Sequence, residues 1–182
     1  MIKTLKHYRR EIFCLLLSTA VLTSAWMASL VHDIQQKNMP GFSIMDLELP
    51  KSDTALLSSI NDLHKNNAVK EIQLNLRVDY IFMPAIYLLI ACWLLMIKKN
   101  TNKKINIILT ILAFAQLLPW IFDIIENNHL LNAINTPGYS LGMDLYTFKK
   151  LVTIKFIISI GGAAIALLIC IVKIFKPKSA SK

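Results

Sequence analysis

The sequence predicts an all-α fold. It reads as a four-helix transmembrane bundle of up-down topology, with a small helical extracytoplasmic cap between helices 1 and 2. Three observations carry this. Of 182 residues, 55% are hydrophobic and 17% charged, against about a quarter charged in an average soluble domain. Mean hydropathy is +0.52. The apolar residues fall into four blocks of membrane-spanning length, and the basic residues cluster at alternate ends of those blocks. A soluble enzyme, a disordered tail and a disulfide scaffold do not fit this pattern. The whole chain, 1–182, reads as a single integral membrane domain.

A helix crossing the hydrocarbon core needs about 20 apolar residues at 1.5 Å rise each. The expected spans are residues 12–31, 80–97, 105–125 and 151–174. Polar interruptions in the first are Ser and Thr, which bond back to the helix backbone. Its basic start also fits a signal peptide, with Thr23 and Ala25 as a small-residue cleavage pair, but the apolar run continues to Val31. Spans two and three are joined by the short polar stretch Lys98-Lys99-Asn100-Thr101-Asn102-Lys103-Lys104, which makes them antiparallel neighbours. Pro84 and Pro119 are expected to kink spans two and three in their outer halves.

Short-loop Lys and Arg set the orientation. Twelve of them lie on one side: Lys3, Lys6, Arg9, Arg10, Lys98, Lys99, Lys103, Lys104, Lys173, Lys176, Lys178 and Lys182, opposed by Glu11 alone. Both termini are therefore expected in the cytoplasm, with loops 32–79 and 127–150 facing outward. The formal charge of +9 is a topology signal and a contact with anionic lipid head groups, and it calls for no nucleic acid. Trp26, Tyr80, Trp93 and Trp120 near span ends suit interfacial anchoring.

The first outward loop is too long for a simple connection. Pro40-Gly41 marks a turn, and residues 42–50 read as extended or lying along the interface. Ser52 then caps a helix whose Leu56, Ile60 and Leu63 share one face. Asn66-Asn67 breaks it, and Val69, Ile72 and Leu76 begin a second amphipathic helix running into span two. In the second outward loop, Pro137-Gly138 is the clear turn.

Ionisable groups at bilayer depth are costly, so they are paired, snorkelling or functional. Asp79 opens span two. Asp123, Glu126 and Asn127 share one face near the outer end of span three, and Lys155 lies about a turn inside span four. In an up-down bundle these meet at one level beneath the cap. One reading is structural pairing of Lys155, with Lys150 doing the same nearer water. The other is an outward-facing polar pocket in which Phe82, Tyr87 and Trp120 form an apolar wall for a lipid-like or amphipathic ligand. Two carboxylates are the right groups for acid–base chemistry, but no nucleophile, phosphate loop or metal motif accompanies them. His32, His64 and His129 lack metal-ligand spacing. No metal or cofactor is expected.

Cys14, Cys92 and Cys170 all lie in spans, read as buried thiols, and leave no outward redox pair. Ala20, Ser24 and Ala28, then Ser159 with Ala163 and Gly162 with Ala166, recur every four residues, as close helix contacts within the monomer or between copies require.

Gly41 with Asp46-Leu47-Glu48-Leu49, Asp79 with Phe82, Asp123-Ile124-Ile125-Glu126-Asn127 and Lys155 together resemble a group of small bacterial integral membrane proteins with four spans. In that group an aromatic tends to follow seven residues after the first Asp; here that position is Ile86, and Tyr87 comes next. The resemblance implies a bacterial inner-membrane protein and no particular activity. The expectation is a ligand-binding or accessory membrane protein in contact with membrane lipid. The alternatives are an enzyme acting on a lipid-linked substrate, with Asp123 or Glu126 as base, and a subunit held by a membrane protein partner.

Overall fold

The computed structural model describes residues 8–98, 102–136 and 144–175, the side chains of Lys173 and Ile174 excepted. Among these residues there is no strand. The helices are α1 (Arg9–Gln36), α2 (Met45–Glu48), α3 (Asp53–Lys65), α4 (Val69–Ile97), α5 (Lys103–Ala115), α6 (Leu117–Asn135) and α7 (Leu145–Phe175). Four stretches are long and apolar enough to cross a membrane: Arg9–Gln36, Val69–Ile97, Lys103–Asn135 and Leu145–Val172. The four expected spans all fall within these helices.

The helices are longer than the apolar windows because their ends bury further side chains. Most of the expected loop 127–150 is helix: α6 runs on to Asn135 and α7 begins at Leu145. Leu130, Ala133, Ile134 and Phe148 on these extensions are buried against Leu56, Ile60 and Leu63 of α3. The Pro137-Gly138 turn lies outside the described residues. Asp144 caps α7, its carboxylate accepting from the Thr147 amide and hydroxyl, both at 2.8 Å. Those bonds hold its carboxyl below the usual range.

Residues 42–50 are not extended. They contain α2, started by the Ser43 amide donating to Asp46 Oδ2 at 3.0 Å and fastened by fully buried Leu47. Ser52 caps α3, accepting from the Ala55 amide at 3.1 Å. The helix stops at Asn66-Asn67, as the sequence predicts. Asn67 takes φ 53°, the Asn67 amide bonds the His64 carbonyl and the Ala68 amide bonds the Leu63 carbonyl. That pair of bonds satisfies the last carbonyls of α3 and turns the chain into α4.

α4 is the hub, packing against α1, α5, α6 and α7. Cross-helix bonds run in opposite numerical order: Asn75 to the Met27 carbonyl and Lys37 to Glu71 between α1 and α4, Lys98 to Thr110 and Gln73 to Asn135 between α4 and the α5–α6 pair. Ala20, Thr23, Leu30 and Ile34 form the buried seam of α1. Thr23 directs its hydroxyl to the Thr19 carbonyl at 2.7 Å, leaving no polar atom for the bilayer. The expected small-residue seam on α1 is only partly used: Ala20 is buried, but Ser24 and Ala28 are exposed. They lie off the heptad-like face that meets α4. Cys14 is likewise exposed rather than buried, while Cys92 and Cys170 are half-buried.

Pro84 does not interrupt α4. Pro119 does act: the third span breaks at Gln116, between α5 and α6. A proline has no N–H for the carbonyl four residues back, which here is Ala115, and its ring crowds that carbonyl. Buried Gln116 donates instead to the Ile158 carbonyl of α7 at 3.1 Å. This requires Gly162, where a Cβ would come within 2.3 Å of Gln116 Nε2 and 3.3 Å of Ile90 Cγ2. The Gly162–Ala166 pair is thus a packed seam inside the monomer.

Gly162→Ala should break the Gln116 bond and cost about 1–3 kcal/mol. Gly161→Ala, with nothing within 4 Å of its Cβ, should be neutral or gain up to about 1 kcal/mol from helix propensity. Thermal unfolding in one detergent compares the two.

Candidate functional site

Two apolar cores occupy the bundle. One gathers Ile34, Leu47, Leu63, Leu76, Leu130 and Val152. The other gathers Ile90, Leu94, Leu109, Ala113 and Ala166. Between them on α4, α6 and α7 lies the polar cluster that the sequence places at one level.

Lys155 is its centre. The Nζ lies 2.6 Å from Asp123 Oδ1 and 2.7 Å from Glu126 Oε2, and 4.8 Å from the Phe156 ring centre. Asp123 also accepts a hydrogen bond from the Tyr87 hydroxyl. Asn127 donates to Asp79 Oδ2 at 2.7 Å, tying α6 to α4. Of the residues singled out in the sequence, Asp79, Tyr87, Asp123, Glu126, Asn127 and Lys155 therefore come together. Phe82 and Trp120 are half-buried on α4 and α6, and the polar contacts described do not involve them. Lys155 neither snorkels nor shares its task with Lys150, which lies over the Tyr146 ring at 5.1 Å.

The arrangement is a closed cluster rather than an open cleft. Lys155, Asp123, Glu126 and Asn127 are each 5% exposed or less. Sequence reasoning missed Glu48, whose Oε2 is 3.6 Å from Lys155 Nζ. It stands between Leu47 and Leu49 just before Pro50, an acid in an otherwise apolar stretch. That and its place in the Asp46-Leu47-Glu48-Leu49 motif were its only signals, because nothing local shows that α2 meets Lys155 of α7. Burial pushes the Glu48 carboxyl above its usual range; Lys155 opposes the shift and Asp123 adds to it.

A lysine buried here needs an acid, since an uncompensated charge costs several kcal/mol. One acid would suffice for pairing. Instead three carboxylates converge on one ammonium, and Glu126 Oε1 is buried without a hydrogen-bond partner. Among the described residues no three His, Cys, Asp or Glu side chains form a metal site. His64 meets the Ile134 carbonyl at 3.0 Å, and His32 meets Gln36 at 2.9 Å.

Comparison with family models, curated proteins and solved structures gave no match to this chain. The class therefore rests on the fold: an all-helical protein with four helices able to cross a membrane.

Lys155→Met should destabilise the protein by about 3–5 kcal/mol, because it strands buried carboxylates. Adding Asp123→Asn and Glu126→Gln should recover part of that loss, read by thermal unfolding. A second test concerns pH. An acid with a raised folded-state pKa stabilises fully below its unfolded value, and that contribution is lost as pH rises through the folded value. The wild-type melting temperature should fall more steeply than that of Glu48→Gln as pH rises above the ordinary glutamate range.

Proposed function

We propose that this is a multi-pass inner-membrane protein with cytoplasmic termini that binds a lipid-like or small amphipathic ligand at the Asp79–Asp123–Glu126–Asn127–Lys155 cluster. The basic flanks support the orientation, and the antiparallel pairing of successive helices supports an up-down bundle. With this orientation α2 and α3 form an outward cap over the cluster.

The observation that carries the reading is the surplus of carboxylate around Lys155 together with the unpartnered Glu126 Oε1. This cluster keeps acceptor capacity at membrane depth, where unsatisfied polar groups are expensive. The cluster lies between two apolar cores, so a molecule reaching it must have apolar parts that tolerate that setting. An amphiphile entering sideways from the bilayer satisfies this condition, and half-buried Phe82 and Trp120 are apolar surface at the same level.

Native mass spectrometry of the full chain released from mild detergent is the test. The wild type should carry a reproducible adduct of lipid or small-molecule mass. Asp123→Asn with Glu126→Gln should lose it while keeping helix content. Bare wild-type monomer in several detergents would overturn the reading, and a mass equal to a second protein would replace it with a subunit role.

A further inference from the structure

The cluster's charge and its hydrogen-bonding state together specify a head-group chemistry. We propose that it receives the primary ammonium head of an aminophospholipid, with Glu126 as the principal acceptor. This rests on the preceding reading of the cluster as a ligand site.

Glu48, Asp123 and Glu126 each lie within 4 Å of the Lys155 ammonium. Asp79 joins them through Asn127. Three carboxyl groups face one ammonium, with Asp79 linked through Asn127, so acceptors outnumber donors and a head group that brings donors is favoured over one that brings only further acceptors. Lys155 itself shows what the site accepts: an –NH₃⁺ donating short bonds to Asp123 and Glu126, of 2.6 and 2.7 Å. The second oxygen of Glu126 has the same chemistry and no donor. It requires an N–H. A primary ammonium offers three, a quaternary ammonium none.

The way in follows from the unequal grip of the acids. Asp123 and Glu126 hold Lys155 tightly, whereas Glu48 stands off at 3.6 Å. Glu48 also belongs to the four-residue helix α2 rather than to a long one. Turning the Glu48 side chain away, with Leu47 still buried, gives up only its 3.6 Å contact and keeps the α6–α7 ion pairs. Asp79 is half-buried beside it, a first acceptor for an incoming cation.

The experiment offers the full chain in mild detergent equal amounts of phosphatidylethanolamine, its N-methyl and N,N-dimethyl forms, phosphatidylcholine and phosphatidylglycerol, all with the same acyl chains. Native mass spectrometry reads the lipid retained. Retention should fall stepwise with methylation. The primary amine should exceed the quaternary head by about tenfold, the worth of one charge-assisted hydrogen bond. Glu126→Gln should lower phosphatidylethanolamine retention by a similar factor and leave phosphatidylcholine unchanged. The methylation series needs only wild type, so misfolding of the variant does not remove the test. Equal retention of all heads, preference for phosphatidylglycerol, or a preference unaffected by a folded Glu126→Gln would overturn the proposal. Retention of another lipid that Asp123→Asn with Glu126→Gln abolishes would overturn the amine preference alone and leave the ligand site standing. No retention sensitive to either variant would overturn both.

Discussion

Lys155 puts a full positive charge between two apolar cores, and the surrounding helices are arranged around that charge. Asp123 and Glu126 of α6 hold it directly, fixing the register of α6 against α7 to within one helical turn. Tyr87 of α4 reaches the same Asp123, so the hub helix is locked to the pair. Glu48 ties α2 to the same lysine. Lipid cannot solvate these groups, so only this mutual arrangement tolerates them at that depth. Apolar packing alone leaves helix register soft, because a Leu or Ile ridge fits neighbouring grooves nearly as well; an ion pair at 2.6–2.7 Å does not.

The apolar cores divide the remaining work. One joins the ends of α1, α4, α6 and α7 to α2 and α3 through Leu47, Leu63, Leu76 and Leu130. It gives the segment 37–68 its reason to fold. Lys37 strengthens that junction, bonding Glu71 at 2.8 Å and the Asn67 carbonyl at 2.9 Å. The other core sits against the Gln116–Gly162 contact, where Pro119 has broken the third span. The break frees backbone groups inside the bundle. The Gln116 amide, passing into the notch left by a glycine, converts that irregularity into a cross-link to α7.

The cluster departs from ordinary pairing in being over-supplied with acid. A design for stability alone would replace Lys155 and its partners by apolar residues of similar volume, since buried ion pairs often gain nothing over hydrophobic packing. Keeping three carboxylates around one ammonium costs stability, and the unpartnered oxygen of Glu126 adds to the cost. Such a cost at membrane depth is the usual mark of a site that uses its charges. The proposal of a cationic amphiphile assigns that surplus a task.

The sequence alone determined the helical class, the four spans, the capping of α3 by Ser52, its stop at Asn66-Asn67 and the continuation of α4 from the loop into the membrane. Each follows from local rules: apolar length, helical period and the few residues able to cap or reverse a chain. It also gathered Asp79, Asp123, Glu126, Asn127 and Lys155, because in a bundle depth along one helix maps to depth along the next. Only the tertiary structure decided which partners those groups take. Glu48 is distant in sequence and lies in a segment with no local helix signal. Tyr87 falls on the buried side of α4 only because of how that helix is turned. Whether Ser24 and Ala28 or Gly162 and Ala166 form a seam was equally open, since small residues at that spacing permit close approach but do not compel it. The long-range fit of Leu47 of α2 into the core beside Leu63 and Leu130, and of Gln116 against Gly162, made those choices. Such fits depend on pairs of distant residues whose proximity no local pattern encodes.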